Sequence, residues 1–200
     1  MFGVSMGFES FWMADSQGQE AIALLERLGR LLSIDAHSEQ LLPVQWEALR
    51  YICKANQFSR THAAVMSYLG LTKGTVSQTL KALESKGLIY KVIDKSDRRS
   101  SRIELTSRGE KILEQDPLAD WIDQFKGMSA TERNGLTKGL SAMLDQRLSA
   151  QGRAPFGQCL SCRYFRVKHH EGNPHYCDLL KTGLTSEGAV LICAEQRPHK

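Results

Sequence analysis

The sequence predicts a mainly α fold that carries one small β-hairpin and ends in a short cysteine-rich segment. Three observations predict it. Apolar residues recur at helical spacing through most of the first 150 positions. One stretch, residues 88–105, switches to two short strand-like runs around a charged turn. Four of the five cysteines, Cys159, Cys162, Cys177 and Cys193, crowd into the last 42 residues. At 200 residues the chain can bury one good core, or one core and a small satellite.

The most informative stretch is 71–106. Thr72 can cap a helix start. Val76, Leu80 and Leu83 follow at spacings of four and three, an inward apolar stripe. Lys73, Ser77, Gln78 and Lys81 share the opposite face. Gly87 stops the helix, because glycine tolerates the left-handed conformation found at helix ends. Residues 88–93 read as a strand, 94–101 as a charged turn and 102–105 as the returning strand. A helix with a small polar outer face, followed by a basic hairpin, can enter a major groove of double-stranded DNA and reach the next minor groove. Contact candidates on the helix are Lys73, Thr75, Ser77, Gln78 and Lys81. Gln78 can pair with adenine through two hydrogen bonds, and Ser77 can serve several bases or a phosphate. Lys73 and Lys81 suit phosphates, which position without specifying.

The run Leu71-Thr72-Lys73-Gly74-Thr75-Val76-Ser77 is followed by Leu83-Glu84 with Gly87-Leu88-Ile89. Then come Asp97 with Arg99, and Ile103 with Leu105-Thr106 and Gly109. Together these resemble the winged helix of the MarR family of transcription regulators. The opening Leu42-Pro43, Gln45-Trp46 and Leu49 also fits, so the resemblance covers about residues 15–150. It implies an α+β winged-helix DNA-binding and dimerisation domain over 16–150, after an N-terminal extension at 1–15. The implied activity is sequence-specific regulation of transcription, as a repressor. By resemblance, Ser59 and Thr61 set small polar groups against a phosphate, Arg99 reads a narrow minor groove, and Asp97 braces it. Lys95 and Arg98 of the same turn suit phosphates. A two-fold homodimer presents two recognition helices to successive major grooves, hence a near-palindromic operator.

Elsewhere the order of elements is plain. Phe8, Phe11 and Trp12 have no clear period; they suit either a partner chain or a frayed terminus. Residues 17–34 form a helix whose face (Ile22, Leu25, Leu28 and Leu32, with Leu24 and Leu31 beside them) is wide enough to pack on a second subunit. Pro43 suits a helix's first turn, and Val44, Leu49, Ile52 and Cys53 continue that helix inward. Cys53 then reads as a small core hydrophobe, with a redox-sensing thiol as the alternative. A helix through His62 and Tyr68 ends at Gly70. Thr106 and Gly109 open another, which Asp116-Pro117 interrupts. Leu118, Trp121, Ile122 and Phe125 resume helical spacing. Ser129 and Glu132 form a capping box, and Leu136, Leu140, Leu144 and Leu148 recur every four residues. Gly135 and Gly139 allow close helix approach. Residues 151–158 read as a linker.

The last segment, 159–200, is a departure. Cys159 and Cys162 are two residues apart, and Cys177 and Cys193 follow singly at mid-teens gaps. A surrounding shell of Tyr164, Phe165, Leu180, Leu184 and Ile192 gives the set its own small core. So short a segment needs a staple, and a metal supplies one. A closed four-thiolate Zn2+ site is one reading. A single pair followed by two lone cysteines, with aromatics after the pair, is similar to the ligand spacing of high-potential iron–sulfur proteins. That implies a [4Fe–4S] cluster. A thiol or disulfide switch is the third reading, and His169, His170 and His175 are substitute ligands.

The formal charge of +4 is mild, but residues 60–111 alone carry net +6, the footprint of phosphate contact. No leading signal and no 18-residue apolar span are present, so a cytoplasmic protein without a membrane helix is expected. No nucleophile–base pair, Gly-rich phosphate loop or paired acids point to an enzyme. A small-molecule effector, which MarR relatives often bind between DNA-binding and dimer helices, is compatible with the sequence and is not specified by it.

Overall fold

The computed structural model describes residues 16–93, 101–167 and 172–199. The expectations for Phe8, Phe11, Trp12, Lys95, Asp97, Arg98, Arg99, His169 and His170 lie outside these residues. The chain divides into two units, Met1–Pro43 and Val44–Lys200.

In the first unit, α1 (Ser16–Asp35) is the helix that the Ile22–Leu32 spacing predicts. None of its residues is buried, and Ile22, Leu24, Leu28, Leu31 and Ile34 are all exposed.

The second unit begins within α2 (Pro43–Lys54), which buries Trp46, Ala48, Leu49, Tyr51 and Ile52. Cys53 corrects the expectation of an inward thiol, because it is exposed. It stands about 100° around the helix from Ile52, just past the buried arc. Next, α3 (His62–Leu69) is capped by Thr61, whose hydroxyl accepts from Ala64 N–H at 3.2 Å. Its successor α4 (Lys73–Ser85) is capped by Thr72, which accepts from Thr75 N–H at 3.2 Å. It buries Val76, Thr79, Leu80 and Leu83. Gly87, at φ +68°, closes it. Gly87 N–H donates to Glu84 O at 2.9 Å and Leu88 N–H to Leu83 O at 3.0 Å, the paired bonds that satisfy the last carbonyls of a helix.

β1 (Ile89–Ile93) and β2 (Ser101–Leu105) form the antiparallel hairpin, with Ile89 opposite Leu105. Ile103 is buried, and its N–H donates to Arg60 O at 2.7 Å, which ties the hairpin to the segment entering α3. Then follow α5 (Ser107–Ile112), a short 3-10 turn, α6 (Leu118–Gly127) and α7 (Ala130–Ala150). The capping box at the start of α7 forms as read: Ser129 N–H donates to Glu132 at 2.8 Å and Glu132 N–H to Ser129 Oγ at 3.3 Å. No residue of α7 is buried; Leu136, Leu140, Met143 and Leu144 stay exposed.

Asp116 organises the break before α6. Both its oxygens accept from Arg50, at 2.6 and 2.7 Å, and one also accepts from Leu118 N–H at 2.8 Å. Burial pushes this carboxyl up, but the hydrogen bonds from Arg50 and Leu118 and the charges of Arg50 and Lys54 outweigh it and hold it below its ordinary value of 3.8. A group held low in the fold contributes stability above its ordinary value and loses it as pH falls through the folded one. We expect Asp116→Asn to lower stability by about 1.5–3 kcal/mol at neutral pH. Thermal melts of the two proteins should converge as pH falls below the ordinary carboxylate value; a constant gap would show that the carboxylate's charge is not what matters.

The cysteine segment is built from β3 (Gly157–Gln158), paired with β7 (Ile192–Cys193), and a three-stranded antiparallel sheet of β4 (Phe165–Val167), β5 (His175–Cys177) and β6 (Thr182–Leu184). A single turn, α8 (Ser186–Ala189), precedes β7. The stretch read as a linker is docked. Phe156 sits edge-on to Tyr51 and Tyr68, at 6.1 and 5.2 Å between ring centres, and the Arg153 guanidinium donates to Ser67 O. Among the described residues, no helix is long and apolar enough to cross a membrane.

Candidate DNA interface and cysteine site

The outer face of α4 is built by the same periodicity that buries its inner one. With Val76, Leu80 and Leu83 turned inward, Lys73, Thr75, Ser77, Gln78 and Lys81 are all exposed. Two of these are held in place. Thr75 Oγ1 lies 2.9 Å from the capping hydroxyl of Thr72. Ser77 Oγ lies 2.9 Å from His62 Nε2, at the start of α3. His62 is the first residue of α3. Its contact spans 15 positions and joins two helices, so no local pattern announces it.

Thr61 is half-buried and its hydroxyl is engaged as the α3 cap. Ser59 departs from the expected phosphate contact. It is 1% exposed, and its hydroxyl accepts from Ala194 N–H at 2.9 Å. The cysteine segment occupies the group that was assigned to DNA.

All four clustered cysteines are buried and unpaired, and they line one small cavity together with Tyr164, Phe165, Leu184 and Glu195. Cys159, Cys177 and Cys193 form a core with Leu184 and Ala189, against which Phe58 of the winged-helix part packs. Three of the four sulfurs have an N–H donor within 3.8 Å. Asn56 Nδ2 points at Cys159 at 3.8 Å, Arg197 N–H at Cys162 at 3.5 Å, and Leu180 N–H at Cys177 at 3.5 Å. Cys193 lies beside the Glu195 N–H and the Asn56 and Ser59 side chains, which favour its thiolate. The Cys159 thiol also donates to Cys193, which holds Cys193 below the ordinary thiol value and Cys159 above it. Donors aimed at sulfur favour thiolates, so the donor set fits a group held by cysteine thiolates. Among the described residues, no three His, Cys, Asp or Glu side chains converge as the ligands of a single ion.

A second cavity, of about 480 Å3, lies between α2, α3, α6, α7 and residues 153–156. Tyr51, Tyr68 and Phe156 supply aromatic walls, and Arg50, Lys54 and Arg153 supply positive charge.

Comparisons with known proteins bear on the first of these sites. The MarR family profile matches residues 39–100. Among solved structures, a mutant of S. aureus MepR is 25% identical, with a TM-score of 0.53, and the match covers 65% of this chain and 97% of that one. The S. aureus MepR–DNA complex is 26% identical, with a TM-score of 0.52 over 62% of this chain and 96% of its own. A MarR transcriptional regulator from Methanosarcina mazei Go1 shares the fold at 22% identity, with a TM-score of 0.56 over 68% of this chain and 99% of its own. No curated protein matches the chain. With its capped helix pair and hairpin at 61–105, the chain carries a MarR-family winged-helix domain, mostly helical with a small β-hairpin wing.

Proposed function

We propose that the chain is a DNA-binding transcription regulator, not an enzyme, that acts as a homodimer on a near-palindromic operator. We propose further that Cys159, Cys162, Cys177 and Cys193 hold a [4Fe–4S] cluster that reports redox, oxygen or iron state. The observation that carries the first part is the exposed polar face of α4, fixed over a fully buried stripe in a stretch of net +6. The similarity to MepR, a protein solved with DNA, supports it. The exposed apolar faces of α1 and α7 support dimerisation, since runs of that size on a regular helix ordinarily meet another chain.

For the cysteines, the ligand spacing and the N–H donors on three of the sulfurs support a thiolate-held metal group. The single Cys-x-x-Cys pair followed by two lone cysteines favours a cluster, whose irons each take one cysteine. Bound, such a cluster supplies one-electron chemistry. The chain's part is to bury it, aim amides at its ligands and exclude water. The alternative is a structural Zn2+ module, with DNA binding set by a small molecule or a protein partner. The small cavity among the sulfurs, about 10 Å3, favours one ion, and the 480 Å3 aromatic cavity suits an organic effector.

One preparation tests both parts. Protein purified without air is assayed for iron, sulfide and zinc, and then titrated with DNA at increasing salt. We expect about four irons per chain and affinity falling with a log–log slope of about −0.9 per phosphate neutralised. Gln78→Ala should relax base preference by about 1–3 kcal/mol at one position of each half-site. A flat salt response would sink the DNA-binding reading. About one zinc per chain would replace the cluster with the alternative.

A further inference from the structure

Residues 55–60, between α2 and α3, carry contacts to the cysteine segment and to the hairpin. On the cysteine side, Ala55 bridges Ile192 and Asn56 N–H donates to Ile192 O at 2.8 Å. The Asn56 amide reaches the Cys159 and Cys193 sulfurs. Its oxygen accepts from Phe58 N–H at 3.1 Å, and the Phe58 ring packs on the cysteine core. Ser59 Oγ accepts from Ala194 N–H at 2.9 Å and touches Cys193. Asn56 and Ser59 are 2% and 1% exposed, so these bonds are made away from water.

Towards α2, Ser59 O accepts from Tyr51 OH at 2.8 Å. Arg60 O accepts from Ile103 N–H in the hairpin at 2.7 Å. The Arg60 side chain donates to Ala55 O at 2.9 Å and pairs with Glu104. Thr61 caps α3, and His62 holds Ser77 of α4. A shift of the sulfur-bearing strands cannot leave Asn56 and Ser59 where they are without breaking buried hydrogen bonds. A shift of those two residues moves the anchor of the wing and the start of the helix pair.

We infer that residues 55–60 couple the cysteine site to the DNA-binding elements, Asn56 and Ser59 being the positioning residues, so that metal retention and DNA affinity rise and fall together. This rests on the reading that the four cysteines hold a metal group; it adds the route by which that group acts. Linkage requires reciprocity: if losing the metal weakens DNA binding by some factor, bound DNA must strengthen metal retention by the same factor.

The test uses the full chain, a duplex that the wild-type protein selects from a random pool, and an iron or zinc chelator. In the wild type, stripping the metal should weaken DNA binding about tenfold, and saturating duplex should raise metal affinity against the chelator by the same factor. In Asn56→Ala and Ser59→Ala, loaded with metal to the wild-type content, both factors should fall towards one. Should either variant fail to fold or load, amide exchange of the wild type gives the answer without it. Stripping should speed exchange at Asn56 and Ala194, and also at Ile103 in the hairpin. Variants that keep the full wild-type factor, a wild-type factor of one, or an Ile103 amide indifferent to stripping would each overturn the coupling while leaving the metal reading intact. Wild-type protein that binds DNA but carries no metal would remove the metal reading, and the coupling with it.

Discussion

Gly109→Ala is expected to lower Tm by about 6–12 °C, from a loss of about 3 kcal/mol. A Cβ built on Gly109 stands 2.0 Å from Leu88 O and 3.0 Å from Leu88 C. Both are backbone atoms, so no rotamer change relieves the overlap. The carbonyl cannot move freely, because it accepts from Thr106 N–H at 3.0 Å. Thr106 in turn joins the two sides: its hydroxyl donates to Gly87 O at 2.6 Å and accepts from Gly109 N–H at 3.0 Å. The end of α4, the start of β1 and the first turn of α5 therefore meet within one small network. Pushing Leu88 away strains the junction that holds the recognition helix against the hairpin, and DNA affinity should fall with Tm. Gly135→Ala is the control. That glycine lies inside α7 with nothing within 4 Å of a built Cβ, so alanine should gain about 0.5–1 kcal/mol within a single chain. If the dimer brings α7 close to a partner helix there, the same substitution should weaken dimerisation instead. Equal melting shifts for the two alanines would show that the Leu88 carbonyl gives way after all.

The same junction shows what a sequence can and cannot disclose. The recognition helix is legible because burial there follows a period. Val76, Leu80 and Leu83 recur on one side, Thr72 and Gly87 carry their own conformational preferences, and each works within a few residues. Reading fails where a role is conferred from far away. Ser59 looks like a helix-start hydroxyl free for a phosphate; it is taken by Ala194, 135 residues on. The 151–158 stretch has the composition of a linker, yet Arg153 and Phe156 find partners on α2 and α3. Cys53 fails for a different reason, since one step around a helix separates the edge of a buried arc from solvent. The grouping of the four cysteines, which line one cavity, was legible from spacing alone. Its attachment to the α2–α3 loop was not, because no pattern in residues 55–60 refers to residues 192–194.

Removing the metal should unfold the cysteine segment while leaving the winged helix standing. The segment's own core is thin: Cys159, Cys177, Leu184, Ala189 and Cys193 are its buried cluster, and three of the five are proposed ligands. Its sheets are two- and three-stranded with strands of two or three residues, too short to be stable in water by pairing alone. On the proposed reading, what remains to hold it is a bound metal, whose apparent binding free energy in small cysteine sites is on the order of 10 kcal/mol near neutral pH. The winged-helix core has other resources. Trp46, Leu49, Ile52, Val76, Leu83 and Ile103 are buried there without help from a ligand. Limited proteolysis of loaded and chelator-treated protein, side by side, should separate the two. After treatment, cleavage should concentrate within 159–199, and helical circular dichroism should persist, because the long helices all precede Gln151. Cys177→Ser should reproduce the treated pattern without chelator. If the treated protein resists protease as the loaded one does, the segment folds on its apolar shell and its docking to Asn56 and Ser59, and the metal would then be a passenger in a site that is built without it.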